Sequence, residues 1–405
     1  MITFAESQDA LGTLDVSDRA RRLERVSLAD ARGRFLAEAV AIDRDQPGFD
    51  RATMDGFAVA PDGDATRFDV IGTVTAGTTF DGDLAPGQAV RIMTGAPAPA
   101  GTTVVPIELA DVPEDGASVA FAEPPPAGRN IAWRGEDARD GDTLLEVGTR
   151  LAPAHLSVAA MAGATEVTVF ERPTVAVVTT GDEVGKAGAA GIRDSNGPLL
   201  DGLLDALGVQ VQRHHARDDE DELRGALEQA AAHADIVVTT GGVSMGERDL
   251  VPDTLGRLGF ETVFHRVQVQ PGKPVLVARR ADGALFVGLP GNPVSVLATA
   301  HLFLFPALGH FLGGWSPPSV RIPMRAGYEH RGRRHLFLPA RVEDGGLVPV
   351  RWNGSGDLSA AATADGLVEL PIGATFAAGE PARFLPYVGH ALTERSVLPP
   401  RDDRR

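Results

Sequence analysis

The stretch "DIVVTTGGVSMGERD", residues 235–249, decides how the chain is read. Ile236-Val237-Val238 has the apolar character of a buried strand. It runs straight into Thr239, Thr240, Gly241 and Gly242, then Ser244, Glu247 and Asp249. A related phrase, "VAVVTTGDEVG", occupies 175–185, and a third apolar run, "ALFVGLP", leads into "GNPVS" ending at 295. In open α/β sheets, ligands gather beyond the carboxyl ends of the strands. The loops 179–185, 239–249 and 289–295 are therefore expected to project from one edge.

The surrounding segments support such a sheet. Strand-like "TVAVVTT" precedes helical "GPLLDGLLDALG", then "VQVQRHH", "DELRGALEQAAAHA" and "DIVVTT". A helix near 250–258, strands in "PVLVARR" and "ALFVGLP", and a long helix from Pro293 complete the alternation. It predicts a doubly wound α/β domain with a largely parallel sheet over 173–318. Residues 43–140, with "FDVIGTVTAGTTF" and "TTVVPIELADV", read as an inserted, mostly β domain. Residues 319–405 read as a barrel-like C-terminal β domain ending in the tail "PPRDDRR". Residues 1–42 and 141–172 carry helical spacing, with Ser17 and Ser27 as N-caps, and are expected to form one discontinuous helical linker domain.

Composition narrows the function. The chain has 405 residues, 43% of them hydrophobic, enough for several cored domains. A net charge of -17 argues against nucleic acid, which requires a basic footprint. Without cysteine there are no disulfides, thiolate-bound zinc or iron–sulfur clusters. The N-terminus lacks a secretory pattern, and the most apolar segment is broken by His301 and Pro306. A cytoplasmic protein with no membrane partner is expected.

The three loops combine glycines, which let backbone approach a ligand, with hydroxyls and acids. Glu183, Asp218, Glu247 and Asp249 fall at that edge, and Asp194, Ser195 and Asn196 begin a helix whose free N–H groups favour an anion. Acids beside a phosphate repel it: two unit charges at 4 Å cost roughly 4 kcal/mol at an effective dielectric of about 20. Mg²⁺ between them turns repulsion into coordination. Metal-assisted phosphate chemistry is the expectation. The turn Pro290-Gly291-Asn292-Pro293 is expected to line the same pocket, and Gly241, Gly242 and Ser244 to face the ligand. No P-loop or H-E-x-x-H motif is present, and His214 and His215 should face opposite sides of a strand.

Nine motifs in order, "PGFDRATMDGFAV", "RIMTGAPAP", "NIAWRGED", "VVTTGDEV", "IRDSNGPLL", "TTGGVSMGERD", "QPGKPV", "LPGNPVSV" and "GSGDLSAAATADGLVELP", carry a family likeness. Over about residues 15–390 the chain resembles the molybdopterin molybdenumtransferases, the MoeA family, and the related domain of gephyrin. The resemblance implies an elongated homodimer of four-domain subunits whose α/β domain is MogA-like. It also implies insertion of molybdate into adenylyl-molybdopterin, with a divalent cation and release of AMP, in molybdenum cofactor biosynthesis. On this likeness Asp55, Thr94, Asp137, Glu183, Asp218 and Asp249 match positions of functional importance. Asp218 and Asp249 are the expected Mg²⁺ ligands, and Asp55 is expected to reach the α/β cleft of the other subunit. By itself Asp55 reads rather as a turn residue before Gly56.

The resemblance further implies that Lys273, Ser295, Arg334 and Ser355 hold molybdate. The family usually reads Lys-Pro-Gly-Lys-Pro here, whereas this chain has Gln270 first, leaving one fewer fixed charge for the oxyanion. Expected partners are a MogA-type adenylyltransferase and molybdoenzyme acceptors. Two rival readings keep the fold: adenylylation of molybdopterin from ATP, and a non-catalytic gephyrin-like scaffold.

Overall fold

The computed structural model describes residues 1–16, 19, 22–184, 191–217, 219–242 and 250–389. Its apolar runs become strands wherever both faces can be covered. In chain order these are β1 (Val175–Thr180), α1 (Asn196–Asp205), β2 (Val211–Ala216), α2 (Glu220–His233) and β3 (Ile236–Thr240). There follow α3 (Leu250–Arg257), β4 (Phe260–His265), β5 (Val269–Gln270), β6 (Leu276–Arg280), β7 (Leu285–Leu289) and α4 (Pro293–Thr299).

Six of the strands form one sheet in the order β2-β1-β3-β7-β6-β4. β2, β1, β3 and β7 are mutually parallel; at one side β6 pairs antiparallel with β7, and β4 antiparallel with β6. Alternate residues serve opposite faces, as a strand's period of two requires. Val175, Val177, Ile236 and Val238 pack with Leu200 and Leu204 of α1 and Val294 of α4. Ala176, Val178 and Val237 pack instead with Leu223 and Leu227 of α2 and Val251 of α3.

β5 leaves this sheet. It pairs in parallel with β9 (His335–Glu343), in a sheet that also holds β8 (Val320–Pro323), β10 (Gly346–Pro349), β11 (Gly366–Leu370) and β12 (Pro381–Pro386). One face of this C-terminal sheet encloses Leu336, Leu338, Val368 and Phe384. From the other, Phe337, Leu367 and Leu385 join the core of the α/β layer. β5 thereby carries the segment 271–273 out towards the C-terminal domain.

The chain divides into two compact units: 1–38, 147–152 and 168–405 form one, and 39–146 with 153–167 the other. The second is built on a six-stranded sheet that includes Gly56–Val59, Arg67–Val74, Gln88–Ile92 and Thr103–Pro106. Phe57, Val59 and Phe68 fill one face of it, and Ala58, Val74 and Val90 the other.

The helical reading of residues 1–42 needs correction. Helix occupies Phe4–Gly12, but Leu23–Ser27 is a strand. Ser27 accepts the Asp30 N–H in a turn rather than capping a helix, and Ser17 lies outside the described residues. Phe35 and Leu36 are buried through isolated bridges to Arg150 and Val169. The mixed apolar spacing thus serves pairing across the chain, and Gly33 at φ 76° breaks any helical continuation.

The helical run from Pro293 extends to Gly309, with a π turn over Ala300–Leu304. Buried His301 lies in that turn. Its Nε2 accepts the Val388 N–H (3.0 Å) and its Nδ1 donates to the Leu297 carbonyl (2.8 Å), which fixes a neutral ring. Burial pushes its pKa down to about 4 from an ordinary 6.5. Between those pH values the unfolded chain binds a proton that the folded chain refuses, so stability falls as pH falls through this window. The contribution is on the order of 3 kcal/mol. His301→Gln should flatten the dependence of unfolding free energy on pH between 6.5 and 4 by about one proton. Parallel denaturant curves for the two proteins would show this, and equal slopes would refute it.

Candidate active site

Because β1, β3 and β7 are adjacent and parallel, Thr180, Thr240 and Leu289 end at the same edge. A cavity of about 370 Å³ lies beyond them. The first loop contributes Gly181 and Glu183, the second Gly241 and Gly242, and the third Gly291, Asn292 and Pro293. Asp194, Ser195 and Asn196, at the start of α1, complete the wall. Pro290, which follows β7, is buried.

The glycines act differently from the sequence-based expectation. The Gly241 N–H does not face the cavity; it donates to the Leu289 carbonyl (3.0 Å). Gly181 likewise donates to the Ala216 carbonyl (3.3 Å). These amides tie the strand ends together. Gly241 also has φ 93°, and a Cβ there would stand 2.7 Å from Thr180 Oγ1. Its smallness keeps the first two loops in contact.

The helix start is assembled by charge. Asp194 Oδ1 accepts the Gly197 N–H (2.9 Å), and its other oxygen is bound by Arg213. Its carboxylate is therefore engaged in shaping α1. Ser195, the N-cap residue, makes no side-chain capping bond. Asn196 Nδ2 donates to the Gly291 carbonyl (2.7 Å), joining the helix start to the third loop. The carboxylate of Glu183 lies over the Cα of Gly181. Arg193 supplies a cation to the lining. Sequence reasoning missed Arg193, Arg213 and Thr180. A signal existed for the first: an anion pocket containing Glu183 and Asp194 needs a positive group, and Arg193 immediately precedes "DSN".

The C-terminal domain meets the first turn of α4 through Ser355. Ser295 is buried there. Ser355 Oγ accepts from Asn292 Nδ2 (3.0 Å), and the Ser355 carbonyl accepts the Val294 N–H (3.0 Å). The loop after β5 lies against α4 as well: a Cβ on Gly272 would stand 2.2 Å from Thr299 Cγ2. Lys273 follows, exposed to solvent. Arg334 Nη1 reaches the Val269 carbonyl at the start of β5 (3.5 Å). Asn292, Val294 and Ser355, far apart in sequence, thus meet at the start of α4.

In the other compact unit, Asp55 Oδ1 accepts both the Thr94 N–H (2.6 Å) and the Thr94 hydroxyl (2.9 Å). Those two bonds, helped by Arg91, hold the carboxyl below the usual aspartate range despite the opposing effect of burial. Asp137 is exposed in a loop whose N–H donates to the Gln46 carbonyl (3.0 Å). Asp218, Ser244 and Asp249 lie outside the described residues. His214 and His215 stand opposite Val178 and Thr179 in successive positions of the ladder, on opposite faces of the sheet.

Comparison with known proteins gives the same outline. Residues 2–163 match the MoeA N-terminal region (domain I and II), 176–310 a probable molybdopterin binding domain, and 321–387 the MoeA C-terminal region (domain IV). A molybdopterin molybdenumtransferase of Staphylococcus aureus is 32% identical over 402 residues, covering 92% of this chain and 93% of that protein. One from Synechococcus elongatus is 38% identical over 311 residues, 73% of this chain and 77% of that protein. The crystal structure of a molybdopterin biosynthesis MoeA protein from Pyrococcus horikoshii OT3 superposes with a TM-score of 0.81 at 26% identity. That alignment covers 96% of this chain and all of the other.

Gly241→Ala tests the packed loop edge. Its positive φ and the contact with Thr180 should cost about 1–3 kcal/mol of stability. Urea denaturation measures the loss, and an unchanged midpoint would show that the loops accommodate a methyl group.

Proposed function

The chain belongs to the MoeA family of molybdopterin molybdenumtransferases, and on that premise we propose that it inserts molybdate into adenylyl-molybdopterin, releasing AMP, with Mg²⁺ as the divalent cation. It is a transferase of molybdenum cofactor biosynthesis. The observation that carries the finer reading is the joint at Asn292. This residue lines the cavity at the strand ends and also bonds Ser355 of the C-terminal domain. Such a joint favours a site in which a phosphate-bearing ligand and a separate oxyanion meet at one helix start.

In this reading Arg193, the Ser195 hydroxyl and the start of α1 hold the phosphates. Lys273 and Arg334 offset the dianionic charge of molybdate, and Ser295 and Ser355 orient it through short hydrogen bonds. The chain has no cysteine, so the sulfur ligands for molybdenum come from the substrate. Asp218 and Asp249 would hold Mg²⁺. Among the described residues no group of three or more acidic or histidine side chains could do so. The flanking residues favour this placement: Arg217 follows β2 at the carboxyl edge of the sheet, and Gly242 lines the cavity. Carboxylate oxygens suit this hard cation, which when bound neutralises phosphate oxygens. Positioning and charge stabilisation by the chain then supply most of the rate gain.

The homodimer belongs to the same proposal. Phe49, Met54, Met93 and Trp133 are large, apolar and exposed on loops around Asp55, and those loops are bonded to one another through Thr94–Asp55 and Arg134–Asp50. Exposed apolar residues grouped with a functional carboxylate favour a protein interface. A second subunit would bring Asp55 to the cavity. No helix among the described residues is long and apolar enough to cross a membrane, and we place the protein in the cytoplasm. There a MogA-type adenylyltransferase would supply its substrate, and molybdoenzymes would receive its product.

AMP release from adenylyl-molybdopterin should require both molybdate and Mg²⁺. Asp249→Ala should lower it at least about 100-fold with the fold retained by circular dichroism. Release without either addition, or a fully active variant, would count against the proposal. Accumulation of adenylylated product from ATP and molybdopterin alone would point to the adenylyltransferase reading. If Asp55 acts across the dimer, mixing inactive Asp55→Ala and Asp249→Ala subunits should restore about a quarter of wild-type activity after exchange, since half the dimers become mixed and each has one complete site. No recovery despite demonstrated exchange would place Asp55 in its own subunit's site.

A further inference from the structure

Asn292 occupies the N-cap position of α4, where an asparagine side chain ordinarily accepts a hydrogen bond from the first turn of its own helix. Here it makes no such bond. Its amide reaches away, and Nδ2 donates to Ser355 Oγ at 3.0 Å. The vacated helix donor is used by the same partner, since the Val294 N–H donates to the Ser355 carbonyl at 3.0 Å. A serine hydroxyl has one proton and two acceptor positions. With Asn292 donating into one acceptor position, the Ser355 proton is left to point elsewhere.

Resting on the oxyanion reading above, we propose that Asn292 is a positioning residue that sets the polarity of Ser355, so that this hydroxyl meets the bound oxyanion as a hydrogen-bond donor. An oxyanion has acceptors only, so a hydroxyl presenting its lone pairs would repel it. The Ser355 loop does not depend on Asn292 for its shape. Asp357 holds it by accepting from the Asn353 N–H (3.1 Å), Asn353 Nδ2 (3.2 Å) and Ala360 N–H (3.1 Å). Asn292 therefore has a role that loop geometry does not already fill. Because it also lines the strand-end cavity, it connects the ligand there with the readiness of the oxyanion site.

The test is a double-mutant cycle in the AMP-release assay, with adenylyl-molybdopterin saturating and molybdate varied. Asn292→Ala should raise the KM for molybdate about tenfold, the effect of one lost charge-assisted bond, and change the KM for adenylyl-molybdopterin much less. Ser355→Ala should raise the molybdate KM at least as much. The double variant should be no worse than Ser355→Ala within about twofold, because Asn292 acts through that hydroxyl. If the two single effects multiply, or if Asn292→Ala raises both KM values equally, the positioning role is overturned while the oxyanion assignment stands. An unchanged molybdate KM in Ser355→Ala overturns the oxyanion assignment and the positioning role with it. Should Asn292→Ala fail to fold, the near-isosteric Asn292→Asp serves. Its carboxylate accepts the serine proton, so it should raise the molybdate KM beyond Ser355→Ala, and a smaller increase overturns the proposal.

Discussion

Everything at the candidate site depends on three strands running the same way. Parallel neighbours cannot be joined by a tight hairpin, so each chain crossing returns through a helix and each loop at the carboxyl end is left open to solvent. With β1, β3 and β7 adjacent in that arrangement, their loops have nowhere to go but one shared edge. The hydrogen bonds of Gly181 and Gly241 to neighbouring strand ends lock this edge before any ligand arrives. Preorganisation of this kind reduces what binding must spend on ordering the loops.

The second half of the site comes from outside the α/β sheet. β5 crosses to β9, the Ser355 carbonyl takes the place of a cap at α4, and His301 anchors the chain after β12 at Val388. These contacts join two hydrophobic clusters through polar atoms that are individually satisfied. A neutral buried histidine suits such a joint. It offers one donor and one acceptor, and a charged ring would leave the Val388 N–H facing another donor.

Charge is used sparingly. The chain carries a net -17, yet its proposed ligands are anions. On the proposed reading, affinity for them comes from local groups: Arg193, the start of α1, Lys273, Arg334 and Mg²⁺. Asp194 illustrates the economy. Its carboxylate lines the cavity, but Arg213 and the Gly197 N–H already occupy it. On the same proposal Gln270, where the resemblance implies lysine, leaves one fixed charge fewer and makes hydrogen-bond polarity at Ser355 matter more.

The alternation of apolar runs with helical segments, together with nine ordered motifs, revealed the α/β layer, the meeting of the three loops and the family, because strand burial and glycine-bearing turns are local properties of sequence. Local pattern misled at Leu23–Ser27, which is a strand paired with distant chain and buries only Val26 of its apolar residues. It also could not show that the glycine amides are consumed by neighbouring strands, that Arg213 occupies Asp194, or that Asn292 abandons its own helix for Ser355. Each of those facts depends on which long-range partner wins a donor or acceptor. That competition is decided only when the sheet, the helix starts and the C-terminal domain are packed together.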